Sequence, residues 1–67
     1  MSLGENIRTR REDLNMTQLE LAERVNVSRP MICQIERGTK TASVPLAKSI
    51  AKALECTLDD LLGEESA

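Results

Sequence analysis

Residues 17–38 read TQLELAERVNVSRPMICQIERG, and this stretch decides the fold. It predicts two short helices joined by a tight turn. Thr17 followed three residues later by Glu20 is a capping box, in which each side chain satisfies a backbone N–H that the first helical turn leaves without a partner. Leu21, Ala22 and Val25 then fall on one face of a helix spanning 18–25. Asn26 is one of the few non-glycine residues that readily takes the left-handed conformation ending a helix, and Val27 follows it as an apolar plug. Ser28 suits the cap of a second helix, which starts at Arg29 or Pro30 and runs through Arg37, with Gly38 as its stop. Ile32 and Ile35 define the core face of that helix. At 100° per residue, Pro30, Cys33, Gln34 and Arg37 point away from it, with Arg29 on the flank.

Two helices this short, with a turn this short, fit a helix-turn-helix, whose second helix enters the DNA major groove. The flanks supply the rest of a bundle. A first helix is expected from Leu3 to Leu14, opened by a Ser2–Glu5 capping box. Leu3, Ile7 and Leu14 share its apolar face, Gly4 weakens its first turn slightly, and Asn15 ends it so that Met16 turns into the core. Residues 39–44, TKTASV, read as a polar loop. Pro45 suits the first turn of a fourth helix, where its missing N–H costs nothing, and Leu46, Ala47, Ile50, Ala51 and Leu54 form the apolar stripe. Cys56 lies in the connector. Thr57 with Asp60 resembles a third capping box and opens a last short helix with Leu58, Leu61 and Leu62 as its apolar face and Gly63 as its end. The tail 64–67 is expected to fray. No period-2 strand pattern and no internal repeat occurs in the sequence.

Sixty-seven residues are expected to form one domain, 1–67, of marginal stability, since a chain of this size buries only about 60% of its unfolded surface. The net charge of −2 argues against nonspecific coating of nucleic acid or membrane. The charge is uneven, however. Residues 1–40 hold seven Lys/Arg against six Asp/Glu, and residues 41–67 hold two against five, so a phosphate-facing surface belongs to the first part. The absence of aromatic residues disfavours single-stranded DNA and RNA binding, which stacks bases on rings. There is no histidine and no nucleophile–base constellation, so an enzyme is not expected, nor is a cofactor or a metal site. Cys33 and Cys56 are too few for a disulfide scaffold and too far apart for a zinc motif, and reduced thiols in a cytoplasmic protein are the default reading. An outward Cys33 could act as a redox switch, but exposed cysteines are usually incidental. No run is long and apolar enough to span a membrane, and no signal peptide is visible.

The run 17–38, followed by PLAKSIAKALECTLDDLLG at 45–63, resembles helix-turn-helix regulators of the Cro and lambda-repressor type, the XRE family. Gln18, Leu21-Ala22, Val27-Ser28, Ile35-Glu36-Arg37-Gly38, Ile50-Ala51, Leu54, Leu58 and Leu61-Leu62 all fall at family spacing, so the resemblance covers about 7–63. It implies an all-α, five-helix fold in which helix 28–37 is the reader. It implies that Arg29, Pro30, Cys33 and Gln34 face base edges. Arg29 would bind guanine O6 and N7, Gln34 would pair with adenine N6 and N7, and Pro30 offers contact only to a thymine methyl. It implies phosphate contacts from Thr17, Gln18, Ser28, Arg37, Thr39 and Lys40. It also implies a buried Arg11–Glu36 salt bridge between helices one and three. Three positions depart from the family pattern: Asn26 stands where glycine is usual, the loop lacks the common proline, and Pro30 disfavours helical geometry at Arg29.

The expected function is that of a transcriptional regulator, often a repressor, binding a palindromic operator in double-stranded DNA as a homodimer. Leu58 and Leu62 would contribute to the dimer surface. Stand-alone regulators this short resemble phage switch repressors, restriction–modification controller proteins and small antitoxins. The competing expectation is a protein-interaction module, anti-repressor or antitoxin-like, that uses the same fold without DNA. The acidic net charge and Pro30 favour that alternative.

Overall fold

The computed structural model describes residues 2–63. Five helices follow one another: α1 (Leu3–Asp13), α2 (Gln18–Arg24), α3 (Arg29–Arg37), α4 (Val44–Ala53) and α5 (Leu58–Leu62). No strand occurs among the described residues. The predicted tail 64–67 lies outside them.

Each helix contributes one large, fully buried aliphatic side chain to a common core: Ile7, Leu21, Ile32, Ile50 and Leu61. Met16, Ala22, Ile35, Ala51 and Leu54 complete the cluster. The burial pattern of every helix therefore follows its predicted apolar stripe, with two exceptions. Leu14 and Leu62 are 40% and 46% exposed instead of packed. Leu14 caps the end of α1 as the backbone leaves helical geometry, and Met16 takes the core position two residues later.

The helices start as their side chains dictate. Ser2–Glu5, Thr17–Glu20 and Thr57–Asp60 form complete capping boxes, each satisfying backbone N–H groups in both directions. Ser28 caps α3 by accepting the N–H of Met31, and Ser43 caps α4 by accepting that of Leu46. Pro30 therefore does not delay α3. It occupies the first turn, where an N–H has no intrahelical acceptor, and Arg29 is already helical. Likewise α4 begins at Val44, one residue inside the predicted loop.

Four helix endings repeat one device. Asn15, Asn26, Gly38 and Glu55 all have φ between 56° and 83°. In each case the next N–H reaches back five residues: Met16 to Arg11, Val27 to Ala22, Thr39 to Gln34 and Cys56 to Ala51, at 3.0 Å. This is the Schellman closure, which satisfies orphan carbonyls and turns an apolar residue inward. Met16, Val27 and Cys56 are those inward residues, and burial raises the Cys56 thiol pKa above its ordinary value.

Gly4 corrects its predicted role as a mild helix weakener. A Cβ there would collide with the backbone carbonyls of Ile35 and Glu36. Glycine is what lets the start of α1 lie against the end of α3. At the other edge of α1, the side-chain amide of Asn6 donates to the Leu61 carbonyl at 2.8 Å and ties α5 to the bundle.

Candidate nucleic-acid interface

The face of α3 opposite Ile32 and Ile35 carries Arg29, Pro30, Gln34 and Arg37, all exposed, and Cys33, which is half-buried. Lys40 is exposed just beyond the helix. Among the described residues the ion pairs are Arg8–Glu12 and Arg11–Glu36, so Arg29, Arg37 and Lys40 have no carboxylate partner there. Unpaired guanidinium and ammonium groups on one exposed surface are the chemistry that displaces counterions from phosphate. Beside them is the exposed amide of Gln34, which carries both donor and acceptor atoms and makes no side-chain hydrogen bond among the described residues.

Beneath this face lies a buried polar cluster. The Nε and Nη2 of Arg11 donate to the two carboxylate oxygens of Glu36 at 2.7 and 3.0 Å, the bidentate arrangement. The Nη1 of Arg11 donates to the Met16 carbonyl at 2.8 Å. The predicted salt bridge between α1 and α3 is therefore present, and both residues are buried. The hydrogen bond to Glu36 raises the Arg11 pKa, outweighing the opposing effect of burial. The cluster satisfies its members fully, since no buried side-chain polar atom lacks a partner among the described residues.

Gln18 extends the cluster outward. Its Nε2 donates to the Oε1 of Glu36 at 3.0 Å, and its Oε1 accepts from the Nη1 of Arg29 at 3.1 Å. The sequence reading assigned Gln18 to phosphate alone and did not foresee either bond. A signal was present: a buried carboxylate has more lone pairs than one arginine fills, and Gln18 is the polar residue at the neighbouring helix start.

The other residues expected at phosphates differ in what they have free. The hydroxyls of Thr17 and Ser28 accept the cap N–H groups of Glu20 and Met31, which leaves each O–H proton available to donate. Thr39 has already donated its hydroxyl proton to the Gln34 carbonyl at 3.2 Å. Cys33 lines an open cleft of about 560 Å³ together with Arg8, Arg11, Gln18, Glu36 and Arg37. The structure thus brings Gln18, Arg29 and the exposed side of α3 together. Leu58 and Leu62 stand apart on α5, half-buried and exposed respectively. The described residues hold no cluster of His, Cys, Asp or Glu suited to a metal, and no helix long and apolar enough to cross a membrane.

Residues 7–61 match the family model described as helix-turn-helix. Over 66 residues the chain is 33% identical to the immunity repressor protein of Bacillus phage phi105, a span of 98% of this chain and 46% of that one. It is 50% identical over 48 residues to an uncharacterised HTH-type transcriptional regulator of Methanothermobacter thermautotrophicus, covering 72% and 70% of the two chains. Its backbone is similar to the P22 c2 repressor in complex with synthetic operator 9T, with a TM-score of 0.90 and 35% identity over 97% of this chain and 98% of that one. The chain spans about half the length of the phage phi105 relative.

Proposed function

Because the chain belongs to the helix-turn-helix family, in its Cro and lambda-repressor type, we propose that it regulates transcription by binding a palindromic operator in double-stranded DNA as a homodimer. Helix α3 lies in the major groove in this reading. The observation that carries it is the division of α3 into two faces: Ile32 and Ile35 in the core, Arg29, Pro30, Gln34 and Arg37 in solvent without acidic partners among the described residues. Arg29 reads guanine and Gln34 reads adenine. Cys33 and Pro30 give apolar contact beside them. Thr17, Gln18, Ser28, Arg37 and Lys40 meet the backbone, where the start of α2 favours an anion. Thr39 takes part once its hydroxyl leaves the Gln34 carbonyl.

The size of the reading helix supports pairing with a second copy. One nine-residue reading helix makes few base contacts, and two-fold pairing sets half-sites about 34–36 Å apart. Leu62, 46% exposed, and the half-buried Leu58 supply an apolar surface on α5 for that pairing. Selection of bound duplexes from a random pool, followed by gel-shift titration, tests the whole reading. The expected result is a palindrome bound saturably, in a salt-sensitive way, by two chains. A chain that stays single on its best duplex removes the dimer. A chain that selects no duplex, yet keeps a protein partner after charge reversal at Arg29 and Lys40, is an interaction module instead.

A further inference from the structure

Gln18 sits between two groups that leave it no choice of orientation. The Glu36 carboxylate can only accept, and the Arg29 guanidinium can only donate. The amide must therefore turn Nε2 to Glu36 and Oε1 to Arg29, and the bonds of 3.0 and 3.1 Å follow that rule. Glu36 is itself buried and held by two hydrogen bonds from Arg11. A chain of hydrogen bonds thus runs from the interior to an exposed arginine on the reading face.

We propose that Glu36 and Gln18 are positioning residues for base reading: Glu36 fixes the amide of Gln18, whose Oε1 then holds the Arg29 guanidinium in one orientation over the groove. This rests on the reading of Arg29 as a base contact. One Nη1 proton is spent on Gln18, and the remaining donors of the fork stay free for a guanine edge. Arg29 is exposed and has several rotatable bonds, so without Gln18 it samples many directions before DNA arrives. A preset direction lowers the entropy lost on binding the matched base and gives no help to a mismatched one. The gain is specificity at a single base pair, whereas a residue that only touches phosphate alters affinity for all sequences alike.

The test is a double-mutant cycle on the full chain, with Gln18→Met and Arg29→Ala. Affinities are measured on the selected duplex and on duplexes changed one base pair at a time. Gln18→Met keeps the side-chain length and leaves the Arg11–Glu36 pair intact. It should lower discrimination three- to tenfold at the pair that Arg29 reads, leave discrimination at the Gln34 pair unchanged, and have no further effect on discrimination in the Arg29→Ala background. Uniform loss on every duplex, with no change in discrimination, would make Gln18 a phosphate contact only. An effect that persists without Arg29 would also overturn the proposal. If Arg29→Ala alone changes no single base preference, Arg29 is not a reader, and the underlying assignment falls with the proposal.

The anchoring role of Glu36 has its own readout in the unaltered chain. Hydrogen exchange of the side-chain amides of Gln18 and Gln34, followed by NMR, should be several-fold slower for Gln18. Equal exchange would show that Glu36 does not hold the amide. The double replacement Arg11→Met, Glu36→Met removes both charges together, so no buried ion is left alone. If folded, it should reproduce the discrimination loss of Gln18→Met. A folded double variant with undiminished discrimination would return Glu36 to a structural role, and the exchange comparison decides if that variant does not fold.

Discussion

The α2–α3 half and the α4–α5 half of this molecule share one apolar core, but only the first adds a network of directional bonds to it. Helices α2 and α3 bury Leu21, Ala22, Ile32 and Ile35 in the same core and are fixed in addition by directional bonds: Arg11 to Glu36, Arg11 to the Met16 carbonyl, Glu36 to Gln18, Gln18 to Arg29. Helices α4 and α5 are fixed chiefly by apolar burial of Ile50, Ala51, Leu54 and Leu61, with one side-chain bond from Asn6. Apolar burial stabilises without prescribing an angle, and a hydrogen-bonded ion pair prescribes one. In the proposed reading, the half that presents side chains to DNA is the half with the directional bonds.

That contrast can be broken most severely at Glu36. Glu36→Ala leaves the Arg11 guanidinium buried without its hydrogen-bonded carboxylate, which should cost about 3–5 kcal/mol. Small domains have only about 5–15 kcal/mol in total, so thermal melts should show partial or complete unfolding at growth temperature. Ile50→Val, in the other half, should cost about 0.5–1.5 kcal/mol and leave base preferences as they were. A Glu36→Ala variant that melts within a few degrees of the parent would mean that the ion pair contributes no more than an ordinary surface bridge.

The next contrast lies within the reading half. Gln34→Ala should cost about 1–3 kcal/mol on the preferred duplex and relax preference at one base position. Binding to a panel of single-base variants checks this. Equal loss on every duplex would contradict base reading by Gln34. Lys40→Ala should have a smaller and unselective effect: weaker binding to all duplexes and a salt slope shallower by about one. An unchanged slope would take Lys40 off the phosphate surface.

The same two kinds of physics explain what was legible in the sequence. Apolar burial writes itself as periodicity, and Ile7, Leu21, Ile32, Ile50 and Leu61 were all placed in the core from spacing alone. Helix ends were legible where the residue type carries the conformation, as at Asn15, Asn26 and Gly38. Glu55 has the same left-handed backbone, yet glutamate gives no such signal, and only the chain path from Leu54 to the Thr57 cap requires it. The role of Gly4 was hidden for another reason. It depends on the carbonyls of Ile35 and Glu36, more than thirty residues away, and no local pattern reports such an approach. The Gln18 bonds were hidden likewise, because they join a family-spaced residue on α2 to partners on α3. The Arg11–Glu36 pair was expected only through resemblance. Periodicity alone would put both charges in solvent.

The smallest expected effect is in the apolar half, and it concerns pH. Asp60 is an exposed carboxylate whose pKa lies below the usual 3.8, first because it accepts the Thr57 backbone N–H at 3.0 Å and then through its bond with the Thr57 side chain. A depressed folded-state pKa means that the ionised form is favoured by folding. The contribution is therefore complete above about pH 3.8 and is lost as pH falls through the lower folded value. Asp60→Asn can still accept that N–H but carries no charge at the start of α5, so it should melt slightly below the parent near neutral pH. The two melting curves should converge as pH falls below about 3.8 and through the lower folded value, since the parent then loses what the variant never had. A gap in melting temperature that stays constant across that range would show that the Asp60 charge adds nothing to the cap, and that α5 is held by Leu61 and the Asn6 bond alone.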